Sequence, residues 1–271
     1  MPTEAVFEGK VRDIFNGCTV PRIYDICKTV NMLVETKSSF SRFGDGEFKL
    51  MTESGVDHCF QRGSQKLAER LSEIISSKEE GVEIGVNRIY FYNDGFDHPH
   101  ISDFIYGKGY GRLMCQHRYL DFLTRDHYYD SVFSIPTHHY VLGRGFFDLY
   151  FGCVKEIWKG RNVVLVTGDV EIMKYDFNIF SETAKSVRVV ELSKVDAFDY
   201  HGRIMKYISS LGLSKKDDIL LLVCGLEATV LAYDLAERGY RAIDAGHLAK
   251  EYDRYKRGIV PYSKADGDFF L

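Results

Sequence analysis

A run of short, largely apolar segments in the carboxyl-terminal half most constrains the fold of this chain. NVVLVTG (162–168), SVRVVEL (186–192), DILLLVCG (218–225) and YRAIDAG (240–246) have the length and β-branched content of strands. Amphipathic stretches alternate with them, including HGRIMKYISSLG (201–212) and EATVLAYDLAERG (227–239), each closed by a glycine. Strands without a polar face must be covered on both sides, which requires a parallel sheet with helices above and below. The expected fold is therefore α/β and Rossmann-like, a mostly parallel sheet with helices on both faces. Such sheets bind ligands beyond the carboxyl ends of their strands. That rule places function at Gly168, near Leu192, at Gly225 and after Ile243.

The amino-terminal half is less regular. Ile23, Ile26, Val30, Leu33 and Val34 have helical spacing within 20–36, an extended run follows at 38–43, and Leu67, Leu71, Ile74 and Ile75 mark a second helix. VEIGV (82–86) reads as a strand, SVFSI (131–135) as another bounded by Pro136, and a helix ends at Trp158. Between about Asn87 and Tyr150 the chain is rich in Tyr, Phe, His, Gly and Asp, a mixture that suits loops around a site and faces on which sugar rings stack. No repeat or Pro-rich linker interrupts the 271 residues. They are read as one domain: a helical segment over 1–37, a core over 38–253 and a tail over 254–271.

Charge and composition exclude some classes. The net charge of −4 leaves no basic surplus for a phosphate backbone, so nucleic acid is not an expected partner. Six cysteines without a CxxC pair, in apolar surroundings, read as free buried thiols. The first residues lack a signal-peptide profile, and no apolar run reaches the ~18 residues of a membrane span, so a cytoplasmic protein is expected. His98, His100, His138 and His139 have no cysteine partner at ligand spacing and read as loop or pocket residues rather than a zinc site.

Three segments could carry chemistry. In SRFGDGEF (41–48), Asp45 and Glu47 flank a glycine at the end of the extended run. In extended backbone, residues two apart share a face, so both acids would converge, with Gly44 and Gly46 allowing close approach of a ligand. Converging carboxylates suit a hard divalent ion shared with substrate phosphates, and Arg42 suits the phosphates themselves. A turn with solvated acids is the competing reading. CGLEAT (224–229) opens a helix after a buried strand. Its free N–H groups suit a diphosphate, Thr229 adds a hydroxyl, and Glu227 suits a ribose hydroxyl or merely the helix start. DAGHLAKEYD (244–253) gathers Asp244, His247, Glu251 and Asp253 past the last strand, as donor-sugar contacts, metal ligand or general base, with His247 and Glu251 on one helix face.

SRFGDGEF is similar to the amino-terminal signature of the GT-D glycosyltransferases. IWKGRNVVLVTG and the stretch from DILLLVCGLEAT to HLAKEYD resemble that family's later segments, in the same order, so the likeness runs from about Phe40 to Tyr252. The resemblance implies a glycosyltransferase that moves a sugar from a nucleotide-sugar, a UDP-sugar, to a carbohydrate or glycoconjugate hydroxyl. It also implies a divalent metal, Mn²⁺ or Mg²⁺, at Asp45 and Glu47. On this reading Asp45, Glu47, Asp244, His247 and Glu251 are catalytic. Arg42, Gly44, Gly46, Gly168, Asp169, Gly225, Glu227, Ala228, Thr229 and Gly246 would line the nucleotide-sugar site. The chain departs from the family at Thr167 before Gly168, in KYDFN (174–178), and at IPTHHY (135–140), where many relatives carry a Ser-Arg-type sequence. These departures leave room for a nucleotide-sugar-binding module without turnover. A methyltransferase using LVTGDVEI is the other alternative, but clustered glycines are missing there.

Overall fold

The computed structural model describes residues 20–91 and 116–259, apart from 54, 59 and 141. Strands β1 (Arg22–Ile23), β2 (Ser39–Phe43), β3 (Val82–Val86), β4 (His127–Asp130), β5 (Asn162–Thr167), β6 (Ser186–Glu191), β7 (Asp218–Val223) and β8 (Ala242–Asp244) form one sheet in the order β1-β4-β3-β2-β8-β7-β5-β6. Every pairing is parallel. The two halves of the chain meet where Phe40 of β2 pairs with Ile243 of β8. From β2 the chain moves one way to β3, and it reaches β8 from the other side through β7. The carboxyl ends at such a reversal open a crevice.

The helices are α1 (Ile26–Thr36), α2 (Asp45–Thr52), α3 (Gln65–Ser76), α4 (Pro136–His139), α5 (Arg144–Lys155), α6 (Ile179–Thr183), α7 (His201–Ser210), α8 (Leu226–Glu237) and α9 (Leu248–Lys256). The alternation of side chains along a strand sorts the apolar residues between them. Val163, Leu165, Ile219, Leu221 and Ile243 pack with α1, α5 and α9. Val164, Val166, Leu220, Leu222 and Ala242 face the other way, onto α7 and α8. Phe43, Val82, Ile84 and Val86 build a further core with Phe48, Leu71 and Val230. Both faces of β5 and β7 are thus buried, as their unbroken apolar character requires.

The structure corrects several local expectations. SVFSI is no strand: β4 ends at Asp130, whose carboxylate accepts a hydrogen bond from Val132 N–H and turns 131–134 into a 3₁₀ segment. Arg22 and Ile23 pair with β4 before α1 begins, and α1 lies in the main core. The boundary at 253 falls inside α9. Cys27, Cys153 and Cys224 are free, but Cys27 and Cys153 are exposed rather than buried. No helix among the described residues is long and apolar enough to cross a membrane.

Several aromatic rings among the described residues of the middle region belong to the core. Tyr119 stacks on Phe48 at 4.4 Å, Phe133 meets Phe40 edge-on, and Tyr128, Phe147 and Tyr150 are buried. These rings are spent on packing and offer no open faces to a sugar. His98 and His100 lie outside the described residues.

Candidate functional site

The candidate site forms where β2, β7 and β8 end side by side. The DGE segment does not continue the extended run. Gly44 is its last extended residue, and α2 begins at Asp45. The switch follows from Glu47, whose carboxylate accepts a hydrogen bond from Gly44 N–H at 2.8 Å and so closes the helix start. In a helix, residues two apart do not share a face. The convergence of Asp45 and Glu47 expected from extended geometry is therefore absent. Glu47 turns inward and is buried, while half-buried Asp45 occupies the first helical position, where the helix dipole favours an acid.

Thr229 ties three strand ends together. Its hydroxyl lies 2.9 Å from the Arg42 carbonyl, 3.0 Å from Glu47 Oε1 and 3.4 Å from Asp244 Oδ2. Ser41 donates in turn to the Thr229 carbonyl at 2.6 Å. The Arg42 guanidinium reaches Asp244 Oδ1 with Nε at 3.4 Å and the Ser131 carbonyl with Nη1 at 3.3 Å. Gly246 N–H donates to Asp244 Oδ1 at 2.9 Å. Burial pushes the Asp244 carboxyl up to about 6; Arg42 opposes this and the neighbouring Glu47 adds to it. Two acids and one arginine thus meet in one compact cluster.

Gly246 is required here by geometry. Its φ is +47°, and a Cβ would stand 2.4 Å from Arg42 Nη2 and 2.9 Å from Ser134 Oγ. Gly46 plays a similar part beneath α8, where a Cβ would meet the His58 ring at 2.7 Å and Leu226 at 3.1 Å. His58 was not singled out from sequence; no motif marks it.

The start of α8 is turned inward. Gly225 enters it with φ +63° and ψ −143°, a conformation open to glycine. Glu227, Ala228 and Thr229 are all buried, so neither Glu227 nor Thr229 presents its side chain to a ribose or a diphosphate. Glu227 instead holds His201 Nδ1 at 2.8 Å, and Asp234 holds Nε2 of the same ring at 2.8 Å. Arg70 completes the chain on Asp234 at 2.5 Å. Although burial opposes its charge, His201 gains more from the two carboxylates, and its pKa rises to about 9.

Glu251 is equally enclosed. It is 1 % exposed, and Oε1 accepts from Thr137 N–H at 2.7 Å, Thr137 Oγ1 at 2.6 Å and His138 N–H at 3.2 Å. Its Oε2 lies 2.6 Å from His138 Nδ1. His247 caps α9 one turn earlier with its ring exposed. Desolvation by the surrounding protein, then the charges of Arg42 and Lys250, push its pKa down to about 4.

Gly168 and Asp169 lie on the same edge after β5, with Gly168 against Lys194 and Ser193, and Asp169 capping the next turn. The strand β7 separates β5 from the Glu47–Thr229–Asp244 cluster. Among the described residues, no group of three His, Cys, Asp or Glu side chains is placed to cage a metal ion.

Residues 40–268 match the family model for the glycosyltransferase GT-D fold. The chain is 25 % identical over 247 residues to a probable glycosyl transferase Gly of Streptococcus gordonii, covering 87 % of this chain and 33 % of that protein. It is 24 % identical over 253 residues to the glycosyltransferase GlyD of Streptococcus pneumoniae serotype 4, covering 88 % of this chain and 28 % of that protein. The chain thus spans about a third of the length of these relatives. Among solved structures, a domain of unknown function 1792 described as having a distinct glycosyltransferase fold superposes with a TM-score of 0.79 at 24 % identity, covering 95 % of this chain and 88 % of that one. A glycosyltransferase of the same domain type from Streptococcus sanguinis superposes with a TM-score of 0.73 at 22 % identity, covering 92 % of each chain.

Proposed function

Because the chain belongs to the GT-D-fold glycosyltransferase family, we propose that it transfers a sugar from a nucleotide-sugar donor, a UDP-sugar, to a hydroxyl of a glycan or glycoconjugate. The observation that carries this reading is the Arg42–Asp244–Thr229–Glu47 cluster, which locks the ends of β2, β7 and β8 together at the reversal of the sheet. It fixes two helix starts, at Gly44 and Gly225, on one edge. Free N–H groups at such starts favour a diphosphate.

The residues fit a divalent ion held jointly with substrate phosphates better than one held in a protein cage. Glu47 Oε2 accepts from Gly44 N–H and Oε1 lies 3.0 Å from the Thr229 hydroxyl, so Glu47 would act through its remaining lone pairs or a water, with Asp45 beside it at the head of α2. When bound, Mn²⁺ or Mg²⁺ would stabilise negative charge on a departing diphosphate. The chain's own part is to hold Asp45 at the head of α2, keep Arg42 beside Asp244, and present Gly44 and Gly46 without side chains in the ligand's way.

A thermal-shift series with UDP, UDP-glucose, UDP-galactose and UDP-N-acetylglucosamine, with and without Mn²⁺, tests this. Stabilisation by a UDP compound that needs Mn²⁺ is expected, and Asp45→Asn should fold normally and lose at least about tenfold in that metal-dependent affinity. No shift with any UDP compound, together with no release of UDP during incubation with a glycan array, would sink the reading.

A further inference from the structure

In a parallel sheet every crossover leaves a strand at its carboxyl end and returns to the amino end of the next. The segment between α2 and the returning helix α3 therefore lies over the carboxyl edge, and so does the segment between β6 and α7. In the sheet, β8, β7 and β5 stand between β2 and β6, a span of about 19 Å at ~4.8 Å per strand. The two segments nonetheless meet. Asp196 N–H donates to the Phe60 carbonyl at 2.8 Å, and Phe198 N–H donates to Gln61 Oε1 at 3.1 Å. Arg62 gives its backbone N–H to Asp196 Oδ1 at 2.7 Å, its Nε to Oδ2 at 2.8 Å and its Nη2 to Asp199 Oδ2 at 2.9 Å. The bridge so formed rests on the start of α8: the His58 ring and Leu226 both border Gly46, and Phe198 shares a core cluster with Leu226.

The bridge is fixed in its backbone and open in two of its side chains. His58 and Gln61 exchange backbone hydrogen bonds at 2.9 Å, and Gln61 is buried. Gly63 admits no side chain, since a Cβ would stand 2.4 Å from the Val56 carbonyl oxygen. Asp196 holds φ +52°, a left-handed conformation that residues other than glycine seldom adopt. Yet Phe60 is 60 % exposed, and Val195, next to Asp196, is 52 % exposed. Folding gains little from a phenyl ring left in water, whereas Phe48, Phe133 and Phe147 are fully buried. A strained, many-point anchorage beneath an apolar ring held out to solvent is the arrangement of a surface that a ligand covers.

The helix starts at Gly44 and Gly225 suit the donor's diphosphate. Phe60 follows His58 by two residues, at most about 7 Å of chain, so it borders those starts without belonging to them. A pyranose ring offers C–H groups on its face and hydroxyls around its edge. The exposed ring of Phe60 suits the face. Arg62, Asp199 and Lys194 are charged, open to water and carried on the same two segments, where they suit the hydroxyls.

We propose that Phe60, with Val195 beside it on the bridge, is the platform on which a pyranose unit of the acceptor glycan stacks, and that it sets which acceptors are used. The inference rests on the glycosyl-transfer reading above and names a specificity residue within it.

The full chain tests this with UDP-sugars and a glycan array, the best pyranose acceptor being carried into steady-state assays. Phe60→Ala should raise the KM for that acceptor about tenfold or more. The KM for the donor and the Mn²⁺-dependent thermal shift with UDP should not change, and Phe60→Trp should keep the native acceptor KM. The chain's single tryptophan, Trp158, is buried, so the added indole of Phe60→Trp reports directly. Its emission should move to shorter wavelength when the acceptor is added in the presence of UDP and Mn²⁺. A native acceptor KM in Phe60→Ala overturns the proposal. So does a matching loss of UDP binding in that variant, which would put the nucleoside on the ring in place of a sugar. UDP binding by the native chain without transfer to any array glycan, or an emission that ignores the acceptor, also overturns it and leaves donor binding standing. Absence of UDP binding by the native chain strikes the glycosyl-transfer reading itself, and the proposal with it.

Discussion

Replacing Thr229 by valine isolates what one buried hydroxyl does for the site. Valine keeps the shape of threonine but lacks the O–H. Thr229 is fully buried, so no water replaces the lost group. Glu47 Oε1 loses its 3.0 Å partner, and its Oε2 keeps only Gly44 N–H. A buried acceptor left without a donor costs about 1–3 kcal/mol, with charged groups at the upper end. The Arg42 carbonyl loses a 2.9 Å contact in the same change. A loss of about 2–3 kcal/mol is expected, read by urea unfolding at pH 7.5. Thr229→Ser keeps the hydroxyl and should cost only about 1 kcal/mol for the missing methyl. If valine is as stable as threonine, or if serine is as damaging as valine, the hydroxyl is not what joins these strand ends.

The remaining expectations concern charge and backbone. His201 titrates near 9 in the folded chain and near 6.5 when unfolded. The stability it contributes is therefore full below about pH 6.5 and lost as pH rises through about 9, by an amount on the order of 3 kcal/mol. Unfolding midpoints measured across that window should fall for the native chain and stay flat for His201→Gln; equal slopes would mean that Glu227 and Asp234 do not hold a charged ring. Gly246→Ala places a methyl against Arg42 in a left-handed backbone conformation. It should cost about 1–2 kcal/mol in stability and weaken UDP binding by calorimetry more than Gly152→Ala, whose added Cβ meets nothing within 4 Å.

The second half of the fold was legible because burial on both faces leaves a mark that no loop imitates. Leu220, Leu221 and Leu222 must each find a partner layer, and only a covered parallel sheet provides one on each side. The first half was harder, because its decisive events are single hydrogen bonds. Asp130 converts an apolar, strand-like SVFSI into a 3₁₀ turn, and Glu47 converts the end of β2 into α2. Hydrophobic periodicity does not register either one. The capping residues were present in the sequence, yet an acid three residues after a glycine carries far less signal than an apolar run.

The same limit explains the division of labour within the site. The sequence placed Arg42, Glu47, Thr229 and Asp244 at strand ends, and the structure brings them into contact. What it could not indicate was direction. Thr229, Glu227 and Glu251 are polar residues in a chemically suggestive pattern, and all three point inward, where each is held by groups far away in sequence: Arg42, His201 and Thr137. A buried carboxylate must be paired, and the partner it acquires becomes fixed in orientation. For Glu227 that partner is His201, itself clamped on both nitrogens and so unable to do anything but hold α7 to α8. For Glu251 it is His138, whose Nδ1 lies 2.6 Å from Oε2.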